Sequence, residues 1–161
     1  MNQFEFGQYQ FASLTNQQLF NALRLRCDVF VVEQQCIYPD LDDKDALPDS
    51  IHVLSESTDN QRNNNVIAYA RCLAPGVSYK GCSIGRVVVA GDMRGHGIAK
   101  QLMLRAIEIC RATWPKHTIQ IGAQVYLQSF YESLGFEAFS APYDEDGIMH
   151  IDMQLRSLRS Q

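Results

Sequence analysis

The stretch RGHGIA, residues 94–99, sets an arginine and two glycines directly before a long helical pattern. A helix start ordinarily asks only for Ser, Thr, Asp or Asn as its cap. Gly95 and Gly97 instead remove side chains where the first N–H groups of a helix have no internal partner. Those groups point outward, and the helix dipole favours an anion beside them. Phosphate is the natural guest, and Arg94 adds positive charge; His96, inside the turn, is expected to face solvent. A single dipole contact contributes only about 0.3–1 kcal/mol, so several amides must act together. Two known phosphate loops fail on spacing. No Lys-Ser or Lys-Thr follows to make a P-loop, and GHGIAK stops after the second glycine of a dinucleotide turn.

Other reactive side chains give less. Cys27, Cys36, Cys72, Cys82 and Cys110 are scattered and odd in number, with no C-x-x-C pair, so zinc and thioredoxin-type sites are excluded. Reduced, mostly buried thiols are expected. Asp40, Asp42, Asp43 and Asp45 form a charge run that reads either as a solvated loop or as an attractor for a cationic ligand. It is not a calcium loop, because Asp45 holds the sixth position, where glycine is needed. No metal site is expected.

The elements that must carry these groups can be read from periodicity. Thr15 and Gln18 form a capping box, and Leu19, Leu23, Cys27 and Phe30 recur at helical spacing, predicting a helix over 16–32. QQCIYPDLDDKDALPDS is a loop broken by Pro39 and Pro48. IHVLSES and VIAYARCL read as paired strands around the turn-rich TDNQRNNN, and CSIGRVVVA as another strand. Ile98, Leu102, Ala106 and Ile109 mark one face of a helix over 98–112. HTIQIGAQ is a strand. YLQSFYESLGF is a short helix ending at a left-handed Gly135, with Phe136 as its hydrophobic contact. Two more strands, FEAFSAPY and HIDMQL, flank the turn DEDG.

The strands over 83–89 and 118–124 flank a helix and should run parallel through a right-handed crossover. The rest reads as antiparallel. The expectation is a mixed α/β protein: one mixed, mostly antiparallel sheet with helices on both faces, in a single domain over 1–161. The composition is 46% hydrophobic and 20% charged, ordinary for a globular domain. A net charge of -4 and a pI near 5.5 leave no basic footprint, which argues against nucleic acid. No apolar run approaches the roughly 20 residues of a membrane helix. The N-terminal MNQFEFGQYQ lacks the pattern of a signal peptide. A cytoplasmic protein is expected.

The arrangement R-x-x-G-x-A after a valine-rich strand resembles the acetyl-CoA pyrophosphate loop of the GNAT acetyltransferase superfamily, whose pattern is Gln/Arg-x-x-Gly-x-Gly/Ala. VVVAGDMRGHGIAKQLM is similar to its strand–turn–helix for CoA, and FYESLGF to its second signature. LRCDVFVVEQ, AYAR, IGRVVV, WPKHTIQIGAQ and DGIMHIDM resemble the ElaA-type branch, so the likeness covers about residues 15–155.

The resemblance implies acetyl-CoA as co-substrate, a primary amine as acceptor, and direct transfer between them; dimers are common in the superfamily, so a homodimer is an implied assembly. It assigns the diphosphate to Arg94, Gly95, His96, Gly97, Ile98 and Ala99. It lays the pantetheine arm along Val87, Val88 and Val89, with the N–H near Val89 facing the thioester carbonyl. Tyr131 would be the general acid toward the departing thiolate; its phenol is a donor at neutral pH. Gln124 ends a strand where many members carry Asn. The acceptor amine must lose a proton, since a lysine-like amine is neutral in only about one molecule in 2,500 at pH 7. Glu33, Asp43, Asp45, His52 and His150 are the candidates for receiving it or holding the acceptor, with Glu33, at the end of the first helix, the first choice. Two alternatives stay open: an acyltransferase with a longer acyl donor, as in acyl-homoserine-lactone synthases, and a non-catalytic acyl-CoA sensor.

Overall fold

A computed structural model describes residues 4–158. The chain runs β1 (Gly7–Gln10), α1 (Asn16–Arg26), β2 (Ile51–Glu56), β3 (Val66–Leu73), β4 (Cys82–Val89), α2 (Ile98–Thr113), β5 (Ile119–Gln124), α3 (Gln128–Ser133), β6 (Glu137–Ala138), β7 (Tyr143–Glu145) and β8 (Ile148–Leu155). The eight strands form one sheet in the order β1-β2-β3-β4-β5-β8-β6, with β7 also paired to β8. All pairings are antiparallel except β4 with β5. This is the mixed α/β sheet expected.

Strand alternation sends neighbouring residues to opposite faces, and the core divides accordingly. On one face Ala22, Leu25 and Val29 from the first helical segment pack on Leu54, Val66, Tyr69 and Val88. On the other, Ile98, Leu102, Met103 and Ala106 of α2 pack on Val53, Ile67, Ala68 and Ile84. Val53 and Leu54 are adjacent in β2 and bury into different layers, so the sheet is the middle of a three-layer stack.

Three elements differ from the sequence expectation. First, β1 was not foreseen: GQYQ has no apolar run and forms a strand because β2 offers its edge. Second, the capping box at Thr15 and Gln18 opens α1, but α-helical hydrogen bonding does not continue to 32. Residues Cys27–Glu33 form a π-helix, with Gln34 N–H donating to Val29 O (3.0 Å) and Cys36 N–H to Val31 O (3.2 Å). Such wide turns are rare and frequent at functional sites. Third, the segment read as one strand before DEDG is two short strands, β6 and β7. All five cysteines are free thiols, four of them buried.

Candidate active site

The parallel pair closes only at its start. Cys82 faces Ile119 and Ser83 faces Gln120; among the described residues β4 has no further partner in β5. A slot therefore opens along the six residues 84–89, roughly 20 Å at strand rise. One side is main chain. Ala90 N–H donates to Ile67 O in β3 (2.8 Å), so by alternation the N–H and C=O of Val89 point the other way, into the slot.

The slot's mouth is the turn before α2. Gly95 and Gly97 have φ of 83° and 76°, the left-handed region where a side chain is strained. A Cβ on either would meet nothing within 4 Å, so the ground in front of the helix is open. The helix has no side-chain cap, and among the described residues the N–H groups of Gly95, His96, Gly97, Ile98 and Ala99 have no acceptor. His96 lies on the exposed side of this turn, its Nδ1 3.1 Å from Met93 O.

Arg94 does not hang free. Its Nε donates to Val89 O (3.3 Å), and its two terminal nitrogens grip Glu33 at 3.0 and 2.7 Å. The π-helix ends at Glu33, so the wide turn delivers this carboxylate to the slot's mouth. The bond to Arg94 is the main reason that the Glu33 carboxyl is held below its ordinary range. Paired in this way, Glu33 is a weak proton acceptor.

Tyr131 sits at the third position from the end of α3, and the helix stop fixes it. Phe136 N–H donates to Tyr131 O (3.1 Å) and Gly135 N–H to Glu132 O (2.9 Å), with Gly135 at φ 95°. This is the paired bond of a Schellman stop. Phe130 and Phe136 set their ring edges against the Tyr131 ring. The residue is only 7% exposed, yet its hydroxyl has no partner among the described residues and is not a sealed-in atom. Burial, with the neighbouring Tyr126, pushes its pKa up to about 12. It is therefore a phenol, not a phenolate, across the physiological range.

Opposite lies the wall made by β5 and β8. Gln124 pairs in register with His150, and its amide donates to Gln34 Oε1 just past the π-helix (3.3 Å). His150 stacks on Tyr143 and lies 3.4 Å from Glu145. Beside them Asp152 Oδ1 accepts from both Tyr79 and Tyr143 hydroxyls at 2.8 Å. Sequence reading did not single out this trio, since it gathers three segments. Its one local signal is the alternation of HIDMQL, which puts Asp152 opposite the core residues Ile151 and Met153.

The acidic run has a different occupation from either one expected. Asp45 is 7% exposed, and its carboxylate bonds Arg26 (2.7 Å) and Arg71 (2.8 Å). Asp40 is buried against Arg26 (3.0 Å) and Arg86 (2.9 Å); Asp42 bonds Arg71 (2.7 Å). Burial raises the Asp45 carboxyl, but Arg26 and Arg71 outweigh it and hold its pKa at about 2. His52, 1% exposed, lies between Tyr69 OH (2.6 Å) and Asp45 O (2.9 Å). Burial lowers its pKa. Asp45 and His52 are thus wall fillings with their polar atoms taken, not groups presented to an acceptor. Asp43 is exposed on the outer side of the same turn. Sequence reading missed the cations. The available signal was an arginine inside each of three apolar stretches: LRLRCDV, AYARCL and IGRVVV.

Solved structures place this architecture in a class. An acyl-CoA N-acyltransferase from Pseudomonas aeruginosa superposes with a TM-score of 0.85 at 36% identity, over 96% of this chain and 99% of that one. The fold is that of acyl-CoA-dependent transferases. The chain belongs to the GNAT acetyltransferase family: residues 43–157 match the acetyltransferase (GNAT) domain. Protein ElaA of Escherichia coli K12 is 40% identical over 149 residues, 92% of this chain and 94% of that protein. Its crystal structure gives a TM-score of 0.84. The GNAT, ElaA-like resemblance seen in the sequence is borne out. A CoA-dependent acyl-homoserine lactone synthase aligns with a TM-score of 0.68 at 16% identity, over 97% of this chain and 84% of that one, a likeness of fold alone. Among the described residues no cluster of His, Cys, Asp or Glu could hold a metal, and no helix is long and apolar enough to cross a membrane.

Proposed function

We propose that the protein is an N-acetyltransferase that moves an acetyl group from acetyl-CoA directly to a primary amine. The observation that carries this reading is the opening of β4 from β5 beside a run of unpaired helix-start amides. A diphosphate fits the amides of residues 95–99. A pantetheine arm, with amides of its own, can then bond the free main chain at Val87 as an added strand would. Val88 faces the helical layer behind and packs the strand in place. The thioester carbonyl reaches the Val89 N–H, which stabilises the oxyanion as the amine attacks. Tyr131 gives its proton to the leaving thiolate, and the bond passes from sulfur to nitrogen with no enzyme-bound acyl group.

Glu33 and Arg94 act together. A diphosphate at the mouth draws the guanidinium, and the freed Glu33 carboxylate, directly or through water, receives the proton that the cationic amine gives up before it attacks; the second proton shed by the nitrogen restores the Tyr131 phenol. His150 and Gln124 line the opposite side, where the acceptor enters. Donor length belongs to the test.

The test incubates the protein with acetyl-CoA and longer acyl-CoAs against a panel of amines, and follows free thiol. Thiol release that depends on particular amines supports the reading. Tight acyl-CoA binding without release across the panel would make it a sensor instead, and faster release with longer donors would change the donor. Tyr131→Phe is expected to lower kcat about 100-fold with little change in acyl-CoA affinity. A Tyr131 pKa of about 12 also sets the sign of the pH dependence. The acid stays protonated as pH rises, so the rate should show no alkaline fall from this group below about pH 11. A fall centred near pH 8 or 9 that vanishes in Tyr131→Phe would contradict the environment described.

A further inference from the structure

The slot exists because β4 bends, and the bend is at Arg86. In the β3–β4 register Arg71 faces Gly85 and Tyr69 faces Val88. Arg86 and Val87 therefore oppose Ala70 alone, which is a β-bulge, and a bulged strand turns away from its former course. Arg86 has φ 53°, a conformation that costs a non-glycine residue about 1–2 kcal/mol. Something must hold it there.

The holder is the loop of acids. Arg86 Nη2 donates to Asp40 O (2.9 Å), its Nε lies 2.9 Å from Asp40 Oδ1, and Nη2 lies 3.4 Å from Asp42 Oδ2. Its guanidinium rests 5.7 Å from the centre of the Tyr38 ring. Asp40 is itself fixed. Arg26 donates to its carboxylate (3.0 Å) and its carbonyl (2.9 Å), and Tyr38 OH to its carboxylate (2.7 Å). Arg26 is completely buried. The chain of contacts runs from the end of α1, through Asp40, to the residue at which β4 leaves its partner.

We propose that Arg86 is a positioning residue for acyl-CoA: clamped by Asp40 and Asp42, it holds the bulge that turns the main chain of Val87 and Val89 into the slot. This rests on the reading of the slot as the acyl-CoA site. The Arg86 side chain is about one-quarter exposed, so its loss leaves the core intact while freeing the bend.

Arg86→Ala is the sharpest test, because alanine keeps the cost of the left-handed φ and removes only the clamp. The Kd and KM for acetyl-CoA are expected to rise about tenfold, with the acceptor KM unchanged and faster exchange of the Ala90 amide, which is bonded to Ile67 O. Arg86→Lys keeps the charge without the planar fork and should recover part of the loss. An acetyl-CoA Kd in Arg86→Ala within twofold of wild type would overturn the proposal. If Arg86→Ala does not fold, Arg86→Lys decides: a Kd raised at least threefold supports the clamp, and an unchanged Kd overturns it. Wild-type protein that binds no acyl-CoA would remove the reading and this inference together. Binding that is equal in wild type and variant would remove the inference alone.

Discussion

Gly97→Asp should reduce acyl-CoA affinity by about 1,000-fold. Two costs arise, the first on stability and the second on binding. The residue sits at φ 76°, and the left-handed conformation penalises a side chain by about 1–2 kcal/mol. The new carboxylate would stand in the open ground before α2, where nothing lies within 4 Å and where we propose that the diphosphate sits. Like charges about 4 Å apart repel by about 4 kcal/mol at the effective dielectric of a protein surface. Gly97→Ala separates the two: it carries the strain but no charge, and should bind acyl-CoA within about threefold of wild type while losing stability. Calorimetric titration with CoA and acetyl-CoA reads both. Since the site is on the surface, thermal midpoints should fall only by the strain. An Asp variant that binds within threefold of wild type would mean that the diphosphate lies elsewhere.

The second large effect concerns stability. Asp45→Ala is expected to cost roughly 3–5 kcal/mol, because it leaves Arg26 and Arg71 buried without their shared carboxylate. That is a large part of the total stability of an ordinary domain. Urea denaturation measures it directly. The pH dependence has a definite sign. A carboxyl held at about 2 in the folded chain, against an ordinary 3.8, adds stability above its unfolded value and yields it as pH falls through its folded value. The advantage of wild type over Asp45→Ala should therefore be full at neutral pH and shrink from about pH 4 down to about pH 2. An equal loss for both proteins over that window would show that Asp45 titrates as a solvated acid.

Much of this was legible in the residues. The apolar period of Ile98, Leu102 and Ala106 marked α2, and Gly135 with Phe136 marked the helix stop that fixes Tyr131. The open glycine turn stood out because two residues able to take positive φ precede a helix without a cap. What was hidden has physical reasons. An α-helix and a π-helix share almost the same apolar face over two turns, so nothing in CDVFVVE distinguishes them. The edge strand GQYQ is made by its neighbour. The bulge at Arg86 arises from a clamp 46 residues away in sequence, and no local pattern reports it. The acids of 40–45 looked solvated because their arginines come from α1, β3 and β4, which only the fold brings beneath them.

Among the described residues, the two halves of the sheet are stitched across its middle by just two residue pairs, Cys82 with Ile119 and Ser83 with Gln120. A molecule seated in the opening works as mortar, joining masonry that the chain leaves apart. At 100 times its Kd such a guest adds about 2.7 kcal/mol to the folded state. Heat and protease resistance should climb with acyl-CoA concentration in purified protein. Within a cell, the lifetime of this polypeptide would then follow the supply of activated thioester, turning a metabolite level into a protein level.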